Sequence, residues 1–210
     1  MQLEQHFEEL RRRHGVSGEL FEELKKDCSV RTIKKGDILL RAGESIESWY
    51  ILLSGGVKQV QYLDEGASVV NSLHFKPMTS IIPMEFNLYE EVKSKKDLIA
   101  LKKGAVLVIN CRAVLELMGR SSEATECVVK TLNAYRLWYA NFHFAKSRYH
   151  NNLKEMLQYF IREDPYLIAN AGLEDLSSYL GVSYYHLSRV KSELKREKPE
   201  LFEELKQYAV

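Results

Sequence analysis

The feature that most constrains the fold is an abrupt change of sequence periodicity near residue 111. Before it, from about residue 29, short apolar runs typical of β-strands alternate with turns that contain glycine. After Gly119, neither glycine nor proline occurs until Pro165, so the chain from about Ser121 to residue 148 can form one helix of more than 25 residues. The sequence therefore predicts a β-rich unit followed by a helical one.

The β-rich unit has short connections between its strands. We predict strands at 29–33, 38–41, 49–54, 57–63, 67–75, 98–101 and 105–110, with the glycines at 36, 43, 55, 56, 66 and 104 in turns. Most connections show no helical periodicity, which indicates an antiparallel sandwich or barrel and not β-α-β units. Residues 3–27 are predicted to be helical, with a glycine-containing break.

The long helix carries an apolar stripe with heptad spacing. Its members follow one another at intervals of 4, 3, 4 and 3 residues: Val128, Leu132, Tyr135, Tyr139 and Phe142. We expect this stripe to pair two copies of the chain, because the spacing is nearer 3.5 than 3.6 residues per turn. The alternative is that the stripe packs on the chain's own β-rich unit.

A helix-turn-helix motif is predicted at residues 173–194. The apolar face of its first helix is formed by Leu173, Leu176 and Leu180, and Gly181 and Val182 then provide a tight turn. Ser183 is a favourable N-cap for the second helix. That helix has an inward face of its own, formed by Leu187, Val190 and Leu194.

The outward face of the second helix is the candidate DNA-binding surface. Its members are polar, basic or aromatic: Ser183, Tyr184, Tyr185, His186, Ser188, Arg189, Lys191 and Ser192. Recognition helices present their N-terminal residues to base edges in the major groove of double-stranded DNA. Arg189 could bond O6 and N7 of a guanine, and Ser183 with the helix N-terminus could hold a phosphate.

Local charge supports this assignment, although a plain helical hairpin with a basic face remains an alternative. Residues 184–198 hold five bases and two acids, and residues 127–154 hold five bases and no acid. Residues 146–210 nevertheless sum to ten bases and ten acids, so a DNA-binding surface must be a patch. In a further alternative, the protein is a sensor or scaffold whose C-terminal helices bind a protein partner.

Composition excludes several other classes. The 30 Lys and Arg residues nearly balance the 29 Asp and Glu residues, which excludes a polybasic tail and an acidic disordered chain. Cys28, Cys111 and Cys127 are too few and too scattered for a disulfide framework or a zinc site. Without a membrane-spanning run or a signal peptide, we expect a cytoplasmic protein. A cupin-type enzyme is not expected, because the β-rich unit has a single histidine, His74.

Two segments together resemble the Crp/Fnr family of bacterial transcription regulators. One is RTIKKGDILLRAGESIESWYILLSGGVKQ at 31–59, and the other is LEDLSSYLGVSYYHLSRV at 173–190. The resemblance covers most of residues 30–196. It implies an α+β fold with a jelly-roll-like, cyclic-nucleotide-binding-like β-roll at 1–120, a dimerisation helix at 121–148 and a DNA-binding domain at 149–210. It further implies DNA, a second copy, RNA polymerase and a small-molecule effector as partners, with base contacts at residues 184, 185, 186 and 189.

Departures from the family pattern bear on the effector. The Gly-Glu pair of cyclic-AMP-binding members is absent from residues 74–101, and their Arg-Ser/Thr position is similar to Ser94-Lys95 here. Lys93, Lys95 and Lys96 are expected on a solvated loop, so we expect no cyclic AMP binding by the usual cassette.

Other cofactors and the usual C-terminus are also not expected. Cys28 alone cannot hold an iron–sulfur cluster, and His74 is not expected to bind haem. Many members end in a β-hairpin wing, whereas here Pro199 ends the recognition helix and one further helix is predicted.

Overall fold

The computed structural model describes residues 17–81 and 92–210, together with Glu8, Arg11 and Arg12. The helix predicted before the glycine-containing break therefore lies almost entirely outside the described residues. Helix α1 (Gly18–Lys26) follows that break, and the Ser17 hydroxyl caps it by accepting a hydrogen bond from the Leu20 amide. Ser17 also binds the Glu123 carboxylate, which ties α1 to the start of the long helix.

The described strands form one antiparallel, six-stranded sheet. They are β1 (Cys28–Ile33), β2 (Ile38–Leu40), β3 (Ser48–Tyr62), β4 (Ser68–His74), β5 (Thr79–Ile81) and β6 (Lys96–Asn110). The sheet order is β1-β6-β3-β4, with β2 paired to β6 and β5 paired to β3. Apolar side chains fill the interior of this β-roll, among them Ile33, Leu52, Val57, Ile81 and Val106. The predicted antiparallel architecture is confirmed.

Two predicted turns are wrong, because β3 and β6 each run through them as single strands of 15 residues. The glycines at 55, 56 and 104 lie where these two strands pair and their register shifts. A Cβ atom on Gly104 would lie 2.1 Å from the Ser54 carbonyl oxygen. Glycine is required here by the close approach of two backbones, and not by a change of chain direction.

The helical part follows directly. It comprises α2 (Cys111–Met118), α3 (Ser122–Arg148), α4 (Leu153–Glu163), α5 (Pro165–Asn170), α6 (Leu173–Leu180), α7 (Tyr184–Glu197), α8 (Pro199–Glu204) and a 3-10 turn at Leu205–Tyr208. The predicted long helix is confirmed at 27 residues, capped by Ser121. Asp164 caps α5, and Pro165 fits the first turn of that helix. Within residues 111–210, all of which are described, no strand occurs, and α8 stands in place of a wing.

Strand β4 contributes side chains to the hydrophobic core of the helical domain. Val70, Leu73 and Phe75, just beyond the strand's end, pack in the core of the helical domain. Beside them, the Val70 amide donates a hydrogen bond to the Ser178 hydroxyl at 3.0 Å. An ion pair between Lys58 Nζ and Asp175 Oδ1, 2.6 Å apart, joins β3 to α6. These contacts attach the helical domain directly to the β-roll, and no sequence pattern indicated them.

A buried carboxyl lies in the connection between α4 and α5. Asp164 Oδ1 accepts a hydrogen bond from the Leu167 amide at 3.1 Å, which caps α5. Burial raises the pKa of the Asp164 carboxyl from 3.8 to about 6, although this hydrogen bond and the charge of Lys76 favour ionisation. At neutral pH the protein therefore keeps a negative charge in a poorly solvated place.

Replacing Asp164 with asparagine is expected to remove this cost and to keep the cap. A folded-state pKa above the unfolded value contributes stability that is complete below pH 3.8 and is lost as pH rises through about 6. Relative to the parent, Asp164→Asn should thus gain about 2 kcal/mol in free energy of unfolding between pH 4 and pH 7. Urea unfolding at four pH values measures this, and parallel pH profiles for parent and variant would contradict it.

Candidate nucleic-acid interface

The turn between α6 and α7 has the geometry that the sequence predicts. Gly181 ends α6 with φ +73°, a left-handed conformation that favours glycine. The Val182 amide then donates to the Ser177 carbonyl at 3.0 Å. The Ser183 hydroxyl accepts a hydrogen bond from the His186 amide at 3.2 Å, so it caps α7 as expected.

The inward face of α7 is fully anchored. Leu187 and Leu194 are completely buried, and Val190 is 8% exposed. They pack in one hydrophobic core with Leu176 and Tyr179 of α6, among other residues. This packing fixes which side of α7 faces outward.

Most of the predicted DNA-binding residues lie on the outward face. Those whose side chains are exposed are Ser183, Tyr184, Tyr185, His186, Arg189 and Ser192, while Ser188 is half-buried. Tyr185 is 85% exposed. Arg189 Nε lies 4.0 Å from Glu193 Oε1 at the surface. An exposed ring, an exposed guanidinium and a capped helix N-terminus therefore share one side of α7.

Lys191 is a correction to the predicted set. Its side chain is half-buried at the flank of α7, and Nζ donates to the Ile168 carbonyl of α5 at 3.4 Å. Burial lowers the pKa of the Lys191 ammonium, with a further contribution from the charge of Lys195. Because position 191 lies four residues after the inward Leu187, its long side chain turns toward the domain and not outward.

Three of the five bases at 127–154 are engaged in intramolecular contacts. Lys130 binds Glu126 one turn earlier, Lys146 donates to the Tyr179 carbonyl, and Lys154 pairs with Glu197. Arg136 and Arg148 are exposed. The acids that pair with this run lie outside the counted window, so the count overestimated the charge available to DNA.

The stripe expected at the dimer interface needs correction for three of its five members. Val128, Tyr135 and Phe142 are 5–7% exposed within the single chain. Val128, Tyr135 and the half-buried Leu132 pack beside Trp49 of the β-roll. The rings of Tyr139, also half-buried, and His143 lie 4.1 Å apart. The alternative interpretation, packing on the chain's own β-rich unit, therefore describes much of this stripe.

Phe142 belongs to a different contact, between α3 and the helical domain. Its ring stacks on Phe160 and on Tyr179, with both centroid distances 4.4 Å. A second apolar stripe on α3 faces outward instead, with Val129 44%, Leu137 62% and Phe144 65% exposed. These exposed residues follow one another at intervals of 8 and 7 residues and not of 4 and 3, so the heptad spacing did not indicate them.

Residues 92–96 belong to the segment in which the family's cyclic-AMP cassette was expected. Residues 82–91, in which part of the expected cassette falls, lie outside the described residues. Lys93 and Lys95 are exposed as predicted. Ser94 and Lys96 are a correction, since they are 4% and 9% exposed. The Ser94 hydroxyl donates to the Lys96 carbonyl at 2.7 Å, so this segment is a structured turn.

His74 is buried at the contact between the roll and α3. Its Nε2 lies 3.0 Å from the Ser72 hydroxyl, and the ring lies 5.2 Å from the Trp138 ring. Nδ1 has no hydrogen-bond partner among the described residues. Burial lowers the pKa of His74 to about 4, so the imidazole is neutral at physiological pH. Trp138 lies three residues after Tyr135 and four before Phe142, so the helical period could have identified it as inward-facing.

The described residues contain no group of three or more His, Cys, Asp or Glu side chains arranged to hold a metal ion. The three cysteines are free, and burial raises the pKa values of the Cys28 and Cys111 thiols to about 12. In the part of the chain that the structure describes, no helix is long and apolar enough to cross a membrane.

Comparison with known proteins identifies the β-roll. Residues 30–121 match the family model described as the cyclic nucleotide-binding domain. A search of curated protein sequences found no match.

Several solved structures share the fold of the chain. The catabolite activator protein of Thermus thermophilus is 21% identical, with 90% of this chain and 87% of that one covered at a TM-score of 0.50. The regulator CLP of Xanthomonas campestris is 14% identical, with coverages of 86% and 93% and a TM-score of 0.65. A regulator assigned to the Crp/Fnr family, from Eubacterium rectale, is 13% identical, with coverages of 86% and 84% and a TM-score of 0.64. The expected resemblance is confirmed: the chain carries a cyclic nucleotide-binding domain within the fold of the Crp/Fnr transcriptional regulators.

Proposed function

We propose that this protein is a sequence-specific DNA-binding transcription regulator that works in the cytoplasm and has no catalytic activity. The observation that carries the proposal is the outward face of α7. Tyr185 and Arg189 project from a helix whose opposite face is anchored by Leu187 and Leu194. A rigid helix with exposed N-terminal side chains is suited to enter the major groove, and the capped N-terminus can bind a phosphate.

The proposal includes a homodimer paired through the outward stripe of α3. Its exposed apolar side chains, Val129, Leu137 and Phe144, lie on the side of the helix away from the protomer's own cores. A soluble chain rarely leaves such a row of large side chains in water. Two paired α3 helices would present two recognition helices to successive major grooves about 34 Å apart.

The effector of this regulator is not expected to be cyclic AMP bound through the usual cassette. Ser94 and Lys95 stand where the cassette has an arginine followed by serine or threonine, and a lysine cannot supply the bidentate fork that a cyclic phosphate accepts. The related regulator CLP is described as responsive to c-di-GMP, so ligands differ among proteins of this fold.

The test is selection of bound fragments from randomised DNA by the full chain, at two salt concentrations, with and without cyclic AMP. We expect a palindromic consensus with half-sites one helical turn apart, affinity that falls steeply with salt, and no change on adding cyclic AMP. Absence of any enriched sequence would contradict the proposal and would favour a protein partner for the C-terminal helices.

Replacing Arg189 with alanine is expected to remove the preference for one base pair in each half-site. A bidentate arginine–guanine contact contributes about 1–3 kcal/mol of discrimination, so the competing base at that position should bind almost as well as the original. Binding to a matrix of single-base variants of the consensus measures this effect.

Arg196→Ala is the matched control for Arg189→Ala. Arg196 is exposed near the C-terminus of the same helix, where a contact to phosphate is expected. Its loss should weaken binding to all sequences about equally and reduce the salt dependence. If both variants weaken binding uniformly, Arg189 does not read a base.

A further inference from the structure

The most exposed large apolar side chain of the described residues is Tyr185, at 85%. It is the second residue of α7, directly in the turn that a recognition helix presents to DNA. An aromatic ring of this size contributes a large apolar area when it becomes buried, and in the free protein nearly all of that area faces water. The position and the exposure together indicate a contact with a partner.

The ring of Tyr185 has a neighbour that restricts its orientation. Tyr184 packs edge-on against it, with ring centroids 5.7 Å apart and an interplanar angle of 85°. Tyr184 is itself only 45% exposed. A side chain held in this way loses less conformational entropy when it binds, so more of the free energy of its contact contributes to affinity.

Tyr185 and Arg189 lie four residues apart and therefore on the same side of α7. Four residues span about 6 Å along a helix axis. Base pairs stack about 3.4 Å apart along one strand. A helix lying along the groove would thus place Tyr185 about two base pairs from the base that Arg189 contacts.

Apolar chemistry in the major groove is restricted to one group. Guanine, cytosine and adenine present only hydrogen-bond donors and acceptors there, whereas thymine adds its C5-methyl group. We infer that Tyr185 is a specificity-determining residue that packs its ring on a thymine methyl in each half-site, about two base pairs from the guanine bound by Arg189. This inference rests on the proposed DNA-binding function and names the base that the helix prefers.

The test replaces single thymines by uracil in the DNA sequence selected by the full chain, which removes the methyl group and nothing else. Affinity is measured by fluorescence anisotropy. At one particular thymine of the half-site, a uracil in one half-site is expected to weaken binding by the parent protein about fourfold. The same replacement in both half-sites should weaken it about fifteenfold. Replacement at thymines elsewhere in the site should leave affinity unchanged.

Two variants of the protein, combined with the replacement of thymine by uracil, form a double-mutant cycle. With Tyr185→Ser, thymine and uracil at that position should bind equally well, because the ring is gone. With Tyr185→Phe, the penalty for uracil should persist, because the ring remains. Both changes affect an exposed side chain, and equal thermal unfolding of the three proteins verifies that they fold alike.

The outcomes separate this inference from the proposed function. If the protein selects a DNA sequence but uracil affects the parent and Tyr185→Ser equally at every position, the thymine contact is disproved and DNA binding stands. If no DNA sequence is selected at all, both are overturned, and the exposed tyrosine would instead contact a protein.

Discussion

Replacing Phe142 with alanine is expected to lower the free energy of unfolding by about 3–5 kcal/mol, the usual cost of removing a buried aromatic ring. The ring is 5% exposed and stacks between Phe160 and Tyr179, each 4.4 Å away. Because it joins α3 to the helical domain, we also expect that domain to unfold at a lower temperature than the β-roll. Thermal unfolding followed by circular dichroism and by calorimetry measures both effects.

Phe144→Ala is the contrasting variant, two residues further along α3. Phe144 is 65% exposed in the single chain and belongs to the stripe proposed to pair two copies. Its replacement should lower stability in a way that depends on protein concentration, since dimer stability follows mass action. The loss caused by Phe142→Ala should be independent of concentration. A small, concentration-dependent loss for Phe142→Ala would show instead that Phe142 faces a second subunit.

The second large effect is expected at Gly104. A Cβ atom there would lie 2.1 Å from the Ser54 carbonyl oxygen, 2.5 Å from its carbonyl carbon and 2.8 Å from Gly55 Cα. All three atoms belong to the backbone of β3, so no side-chain movement can relieve the clash. Gly104→Ala should therefore cost about 3 kcal/mol or more, the upper end of overpacking penalties. Urea denaturation, or loss of soluble protein on expression, provides the measurement.

Gly66→Ala separates this clash from the general cost of replacing a glycine. Gly66 has φ +80°, and no atom lies within 4 Å of a Cβ built on it. The left-handed backbone alone costs about 1–2 kcal/mol for a residue with a side chain. Gly104→Ala should be clearly worse than Gly66→Ala, and equal losses would mean that β3 and β6 can move apart where they pair.

How far the sequence determines the molecule depends on whether a feature is local. The cap at Ser183, the left-handed Gly181 and the inward Leu187 were all predictable, because each depends on neighbours a few residues away. The turn assigned to Gly55 and Gly56 failed because glycine also occurs where two distant strands approach closely. A local reading cannot distinguish these two uses of the same residue.

In the candidate site, too, some features depend on nearby residues and others on distant contacts. The exposed face of α7 followed from its helical period, but the partial burial of Lys191 depends on the position of α5, which no local pattern gives. The stripe containing Tyr135 and Phe142 was identified correctly as apolar, yet its direction depends on the β-roll and on α4 and α6. Periodicity identifies a face, and only tertiary structure identifies its partner.

The position of β4 at the edge of the sheet has a consequence for the solubility of the protein. Among the described strands, β4 pairs only with β3, so one of its sides has no neighbouring strand. Helix α6 covers this strand, with Ser178 accepting the Val70 amide hydrogen bond and apolar packing around Leu73. An uncovered, apolar edge strand is a template for aggregation. The helical domain thus also protects the edge of the β-roll, and the two parts of the chain depend on each other for solubility.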